Sequence, residues 1–144
     1  MIAQQDKSAL IAAARAARET AYAKYSNYRV GAAVLADDGK IYAGCNVENA
    51  AYPQGTCAEA GAIAAMALAG ARTIRAAAVA GGKSDLQPET DPWDLTSPCG
   101  GCRQRLAEFS AGSVPVFIVT PHEEMLETTV GDLLPHAFNL KEET

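Results

Sequence analysis

The stretch GTCAEAGAIAAMALAG (residues 55–70) sets a cysteine two positions before a glutamate at the head of an Ala-rich run, and SPCGGCRQ (residues 97–104) sets two more cysteines at the head of the next. The first run reads as a helix over 57–69, by its alanine content and periodicity, closed by Gly70 in the usual C-terminal position of glycine. CGGCRQRLAEF (99–109) opens a second. Between them TIRAAAVAG (73–81) is a small apolar run suited to a strand buried on both faces, and VPVFIVT (114–120) is another strand. A strand–helix–strand unit of this kind requires a partly parallel sheet.

Outward from this unit, apolar residues recur at helical spacing over 7–22, with Ser8 or Asp6 available as the N-cap. Two short apolar runs flank the turn signal DDGK and predict strands over 28–36 and 40–46 joined as a hairpin. ENAAYPQGT (48–56) is a loop, with Thr56 placed to cap the following helix. Residues 81–97 form the longest predicted loop, and TVGDLLPHAF (129–138) a short helical turn followed by a tail. The order, a leading helix and then β, β, α, β, α, β, predicts an α/β sandwich whose sheet has helices on both faces. Sites in such sheets sit at strand ends where helices begin, which is where the three cysteines fall.

A chain of 144 residues is expected to form one domain over 1–144, large enough to bury a core without staples. Its 49% hydrophobic and 20% charged residues are the composition of a soluble globular protein. The net charge of −5 speaks against nucleic acid as a partner, since such surfaces cluster Lys and Arg. The first 26 residues carry charges throughout and contain no signal-peptide core, and no stretch approaches a membrane span. The expected location is therefore the cytoplasm. There, Cys45, Cys57, Cys99 and Cys102 are expected to be free, metal-bound or catalytic rather than paired.

The spacing of Cys99 and Cys102 lets both thiols converge on one ion as a helix begins. Cys57, at another predicted helix start, is the obvious third ligand, because free N–H groups and the helix dipole favour thiolate there. Catalytic zinc sites use three protein ligands and leave one position open, whereas structural sites close with four. His122 and His136 lie far along the chain from either motif. Taken singly, each cysteine could be a small buried hydrophobe, and the C-x-x-C pair could be redox-active in a thioredoxin-like context, which the upstream pattern does not supply. Taken together, Cys-Ala-Glu and Pro-Cys-x-x-Cys match the signature of zinc deaminases of nucleobases, in which a non-ligand glutamate moves protons. Glu59 holds that position: a carboxylate beside the open coordination place can take a proton from water and later deliver it to a leaving amine.

At this point the chain resembles the small tetrameric cytidine deaminases. YSNYRVGAAVLADDGKIYAGCNVENAAYP (25–53) resembles the family's opening strands and nucleoside-binding segment, TCAEAGAI and SPCGGCRQRLAEF its zinc motifs, and LLPHAF (133–138) its aromatic C-terminal segment. The resemblance implies a three-layer α/β/α sandwich around a five-stranded mixed sheet, one Zn²⁺ per chain, and a homotetramer with shared active sites. Carried over by position, it implies that Cys57, Cys99 and Cys102 bind zinc, that Glu59 shuttles protons, and that Asn46 and Glu48 hold the ribose hydroxyls. An amide and a carboxylate two residues apart on an extended segment point the same way, which suits neighbouring hydroxyls. Tyr28 stands where the family often has a phenylalanine against the nucleoside, and Ala58 lines the same substrate site. Tyr52 would reach a neighbouring subunit's site, and Phe138 would stack on the base from another.

One departure stands out: the family's usual motif has arginine directly after the glutamate, and here Ala60 and Gly61 follow Glu59. Three thiolates on a divalent ion leave a net charge of about −1, which a neighbouring cation would offset. The expected sources of compensation are Arg103, the cation nearest to Cys102 in sequence, and the two helix N-termini, with the small pair Ala60-Gly61 leaving room beside the metal. The function implied is hydrolytic deamination of cytidine or deoxycytidine in pyrimidine salvage. The alternatives are deamination of an N4-substituted cytidine or a cytosine-containing antibiotic, and, from another class, a non-enzymatic zinc module with a closed fourth position.

Overall fold

The computed structural model describes residues 2–83 and 95–141. Helix α1 (Gln4–Glu19) leads into the hairpin β1 (Tyr28–Ala36) and β2 (Ile41–Cys45), followed by a 3-10 turn (Tyr52–Gln54) and helix α2 (Ala58–Leu68). Strand β3 (Ile74–Lys83), helix α3 (Gly100–Glu108), strands β4 (Pro115–Val119) and β5 (Glu124–Thr129) and the short helix α4 (Val130–Leu133) complete the order. The strands form one five-stranded sheet in the order β2-β1-β3-β4-β5. β3 and β4 run parallel and the other pairs antiparallel, as the strand–helix–strand reading requires.

Strand periodicity sorts the core into two layers. Ala33 and Leu35 of β1, with Ala76, Ala78 and Ala80 of β3, face Leu10, Ile11 and Ala14 of α1. Their neighbours Ala32, Val34, Ala77 and Val79 point the other way, onto Ala62, Ile63 and Met66 of α2 and Leu106 of α3. Both faces of β3 are therefore covered, and its alanines let the helices lie close. Each large side chain fully buried here, Leu10, Met66 and Leu106 among them, contributes roughly 1.5–3 kcal/mol. The architecture is the three-layer α/β/α sandwich with a mixed sheet.

Several boundaries differ from the sequence reading, each for a tertiary reason. α1 starts at Gln4 with Ala3 at its N-cap, so neither Ser8 nor Asp6 caps it, and Asp6 lies in the first turn. It stops at Glu19 rather than Tyr22, because the Tyr22 N–H donates to the Asn46 carbonyl (3.0 Å) and the Tyr22 carbonyl accepts from Glu48 N–H (2.9 Å). Thr56 does not cap α2; its backbone pairs with Val47 in both directions (2.9 and 3.0 Å), which holds it extended and passes the cap to Cys57. Strand β5, the fifth strand that the resemblance implies, carries no local apolar pattern of its own. It is an edge strand with two glutamates in six residues, paired on one side only. Of the predicted loop 81–97, residues 81–83 belong to β3, and 84–94 lie outside the described residues.

Candidate active site

Both metal motifs begin helices. Cys57 is the N-cap of α2, and Cys99 is the N-cap of α3 with Cys102 in its first turn. What brings α2 against the sheet at this end is Gly44 on β2: a Cβ there would lie 2.4 Å from Ala62 N and 2.6 Å from the Ala58 carbonyl oxygen. No side chain fits, so the helix rests on the strand backbone. The sulfurs of Cys57, Cys99 and Cys102 lie within 4.8 Å of one another. None of the four cysteines is in a disulfide.

The three sulfurs sit in different surroundings. Cys102 is fully buried, Cys57 half-buried and Cys99 exposed. Burial pushes the Cys57 and Cys102 thiols up, while the backbone N–H of Cys102 holds the Cys99 thiol below its ordinary value. Three soft donors converging from two helix N-termini, with room beside them, are a donor set that fits zinc with three protein ligands. Glu59, in the first turn of α2, is buried to 5% exposure, and that burial raises its carboxyl above the usual range.

The sulfurs and Glu59 form one end of a cavity of about 600 Å³, within the range of small-molecule sites. Asn46, Glu48, Tyr52 and Ala58 line the same cavity. The Glu48 carboxylate is fixed before any ligand arrives, accepting from Tyr25 N–H (2.8 Å), Ser26 N–H (3.1 Å) and the Ser26 hydroxyl. Asn46 bonds to β1: its Oδ1 accepts from Val30 N–H (2.8 Å), and its Nδ2 donates to the Tyr28 carbonyl (2.9 Å). One amide hydrogen and a lone pair remain for a ligand.

This geometry agrees with what the whole chain is similar to. Residues 4–118 match the family model described as the cytidine and deoxycytidylate deaminase zinc-binding region. The chain belongs to the cytidine deaminase family. A cytidine deaminase of Sporosarcina psychrophila is 46% identical over 134 residues, covering 93% of this chain and 92% of that relative. One from Halalkalibacterium halodurans is 37% identical over 137 residues, covering 95% and 97% of the two chains. Among solved structures, the cytidine deaminase of Burkholderia pseudomallei superposes with a TM-score of 0.79 at 41% identity, covering 95% of this chain and all of that one.

Within this cytidine deaminase fold the predicted site residues divide. Cys57, Ala58, Glu59, Cys99 and Cys102 line the cavity together with Asn46, Glu48 and Tyr52. Tyr28 does not line it; its hydroxyl hydrogen-bonds with that of Thr96, which does. Thr96 occupies the space a side chain on Gly81 would need, with its atoms 2.4 Å from that Cβ position. Phe138 is 68% exposed and away from the cavity of its own chain.

Arg103 does not reach the sulfurs. Its guanidinium donates to the carbonyls of Pro98 (2.8 Å) and Leu133 (2.9 Å) and to the Ser97 hydroxyl (3.0 Å), tying α3 to its entry loop and to α4. Nor does Gly61 make room beside the metal site: it packs against β2, where a Cβ would lie 3.4 Å from Gly44 Cα. Ser26, Thr96 and Arg105 also come to the site, through contacts that the motifs do not include. Ser26 and Thr96 meet their partners 22 and 68 positions away in sequence, so no local pattern announces them. Arg105 follows Cys102 at helical i,i+3 spacing, a signal that sequence alone contains.

Proposed function

We propose that this chain is a zinc-dependent deaminase that hydrolyses cytidine and deoxycytidine to uridine and deoxyuridine with release of ammonia, with one zinc per chain. The observation that carries the reading is a buried carboxylate, Glu59, beside three convergent sulfurs at one end of a cavity whose wall presents Asn46 and Glu48. Zinc, when bound, supplies the Lewis acid that activates water for attack at C4 of the base. Cys57, Cys99 and Cys102 would hold it. Glu59 takes a proton from the water and delivers it to the pyrimidine; a C–O bond forms at C4 and the C–N bond breaks. The two water hydrogens end on the ring nitrogen and on ammonia. Burial of Glu59, by favouring its protonated form, suits a group that must give the proton back. Asn46 and Glu48 orient the sugar, the fixed Glu48 accepting from hydroxyls and Asn46 able to donate or accept.

The names of the relatives support the base and nucleoside assignment. The homotetramer is what the family resemblance implies, and two exposed aromatics support it: Tyr52, 79% exposed and on the cavity lining, and Phe138, exposed and outside the cavity of its own chain, where it would be free to meet the base in another subunit's. A tetrameric mass by sedimentation, and loss of turnover in Phe138→Ala with the zinc retained, are the expected results. The proposed setting is pyrimidine salvage in the cytoplasm; among the described residues no helix is long and apolar enough to cross a membrane. Ammonia release from cytidine, deoxycytidine, an N4-substituted cytidine and a cytosine-containing antibiotic tests the substrate directly. Turnover of the first two in clear preference supports the proposal, and turnover of the last two alone overturns it.

A further inference from the structure

A cluster of three thiolates on one divalent ion carries a net charge of about −1, and the position after the catalytic glutamate, Ala60, offers no cation. One turn beyond Cys102 on α3, the Nη1 of Arg105 donates to the Cys102 sulfur at 3.5 Å. The guanidinium lies across the first turn of α3, where a Cβ on Gly101 would come within 3.3 Å of the same Nη1 and 4.0 Å of the Cys99 sulfur. Gly101 thus leaves open the space that lets one cation lie over the turn carrying two of the three ligands. Arg103, the other arginine of this turn, is directed at carbonyls and a hydroxyl instead.

We propose that Arg105 is the positioning residue that offsets the thiolate charge of the metal cluster, in place of the arginine that follows the glutamate in the family's usual motif. The inference rests on the zinc reading above. Arginine suits the role because its guanidinium stays charged and can hold one N–H on sulfur while facing water with the rest. The compensating charge has moved from α2 to α3, and with it the dependence of the site on a second helix.

The test is a zinc competition titration against a chromophoric chelator, run beside the near-ultraviolet sulfur-to-metal charge-transfer band of the Co²⁺-substituted protein, for wild type, Arg105→Leu, Arg105→Gln and Arg105→Lys. Loss of a hydrogen bond to a ligating sulfur raises the energy of its lone pair, so both neutral variants are expected to shift the band to longer wavelength. Their zinc affinity should fall about tenfold, the low end of what removing an outer-shell partner costs. Arg105 is exposed, so the metal-free proteins should melt together. Arg105→Lys, keeping the charge without the planar fork, should recover part of the affinity. Neutral variants with wild-type zinc affinity and an unmoved band would overturn the role of Arg105 and leave the zinc reading intact. A wild-type protein that takes up no metal would overturn the zinc reading itself.

Discussion

The two ends of the cavity are built on opposite plans. At the sulfur end every working group sits at the start of a helix: Cys57 and Glu59 on α2, Cys99 and Cys102 on α3. Their relative placement is set by rigid elements pressed onto the sheet, and Cys102 and Glu59 are buried. At the other end Asn46 and Glu48 lie beyond the last residue of β2, on a segment held by single bridges to Tyr22 and Thr56. There the side chains are aimed by hydrogen bonds from distant backbone, Tyr25 and Ser26 for Glu48 and β1 for Asn46. On the proposed reading, the groups that carry the chemistry are mounted on helices, and those that meet the sugar hydroxyls are mounted on a segment held in place by hydrogen bonds.

The comparison is tested most severely at the sulfur end. Cys57→Ala, Cys99→Ala and Cys102→Ala should each abolish stoichiometric zinc and turnover together, and should lower the melting temperature, since metal binding there is coupled to the packing of two helix starts. Zinc content by atomic absorption checks this, and full occupancy in any one variant removes that residue from the ligand set. Glu59→Gln should fall next. It keeps the shape and the metal while losing the proton carrier, so kcat should drop by about 10²–10⁴-fold with little change in zinc. A variant that turns over at the wild-type rate would show that the proton travels by another path.

That the sulfur end was legible and the other end only partly so has a physical reason. A C-x-x-C at a helix start converges on one point by local geometry alone, and Cys-Ala-Glu fixes the carboxylate relative to its cysteine within half a turn. The helix periodicity that identified α2 and α3 carried the site with it. What sequence could not supply was contact across the chain. Thr56 looked like a cap because nothing local reveals its pairing with Val47. β5 was invisible because Glu124 and Glu127 break the apolar pattern of an edge strand paired on one side. Arg103 is the nearest cation to Cys102 in sequence, but in a helix the adjacent residue points some 100° away, whereas Arg105, one turn on, shares the face. Asn46 and Glu48 lie beyond the end of β2, and both line the cavity.

At the laced end the expected effects are smaller and fall on binding. Glu48→Gln should raise KM for cytidine by about 10- to 100-fold, as expected when a charge-assisted hydrogen bond to a hydroxyl is lost, with kcat and zinc content little changed. Asn46→Ala should raise KM as well and should cost about 1–2 kcal/mol of stability, more than Glu48→Gln, because both of its bonds to β1 are lost while a glutamine oxygen at 48 can still accept from Tyr25 and Ser26. Parallel KM and denaturation measurements separate these outcomes. Equal destabilisation by both variants would mean that Glu48, too, is mainly a structural tie.

The finest discrimination comes from Ser26. Its hydroxyl and N–H, together with the N–H of Tyr25, stabilise the ionised form of Glu48, and the Ser26 hydroxyl is the largest single cause holding that carboxyl below the usual range. A depressed carboxyl contributes its ionised form fully above the ordinary glutamate pKa and loses it only as pH falls through the lower, folded value. KM for the nucleoside should therefore stay flat as pH is lowered through the ordinary glutamate range and rise only below it. In Ser26→Ala the main donor is gone, the carboxyl returns toward its ordinary value, and the rise in KM should begin at a higher pH. At neutral pH, where Glu48 is ionised in both proteins, the two should differ by little more than the looser aim of the carboxylate. A KM profile for Ser26→Ala that overlays the wild type down the acid limb would show that the lacing positions the loop without governing the charge of Glu48.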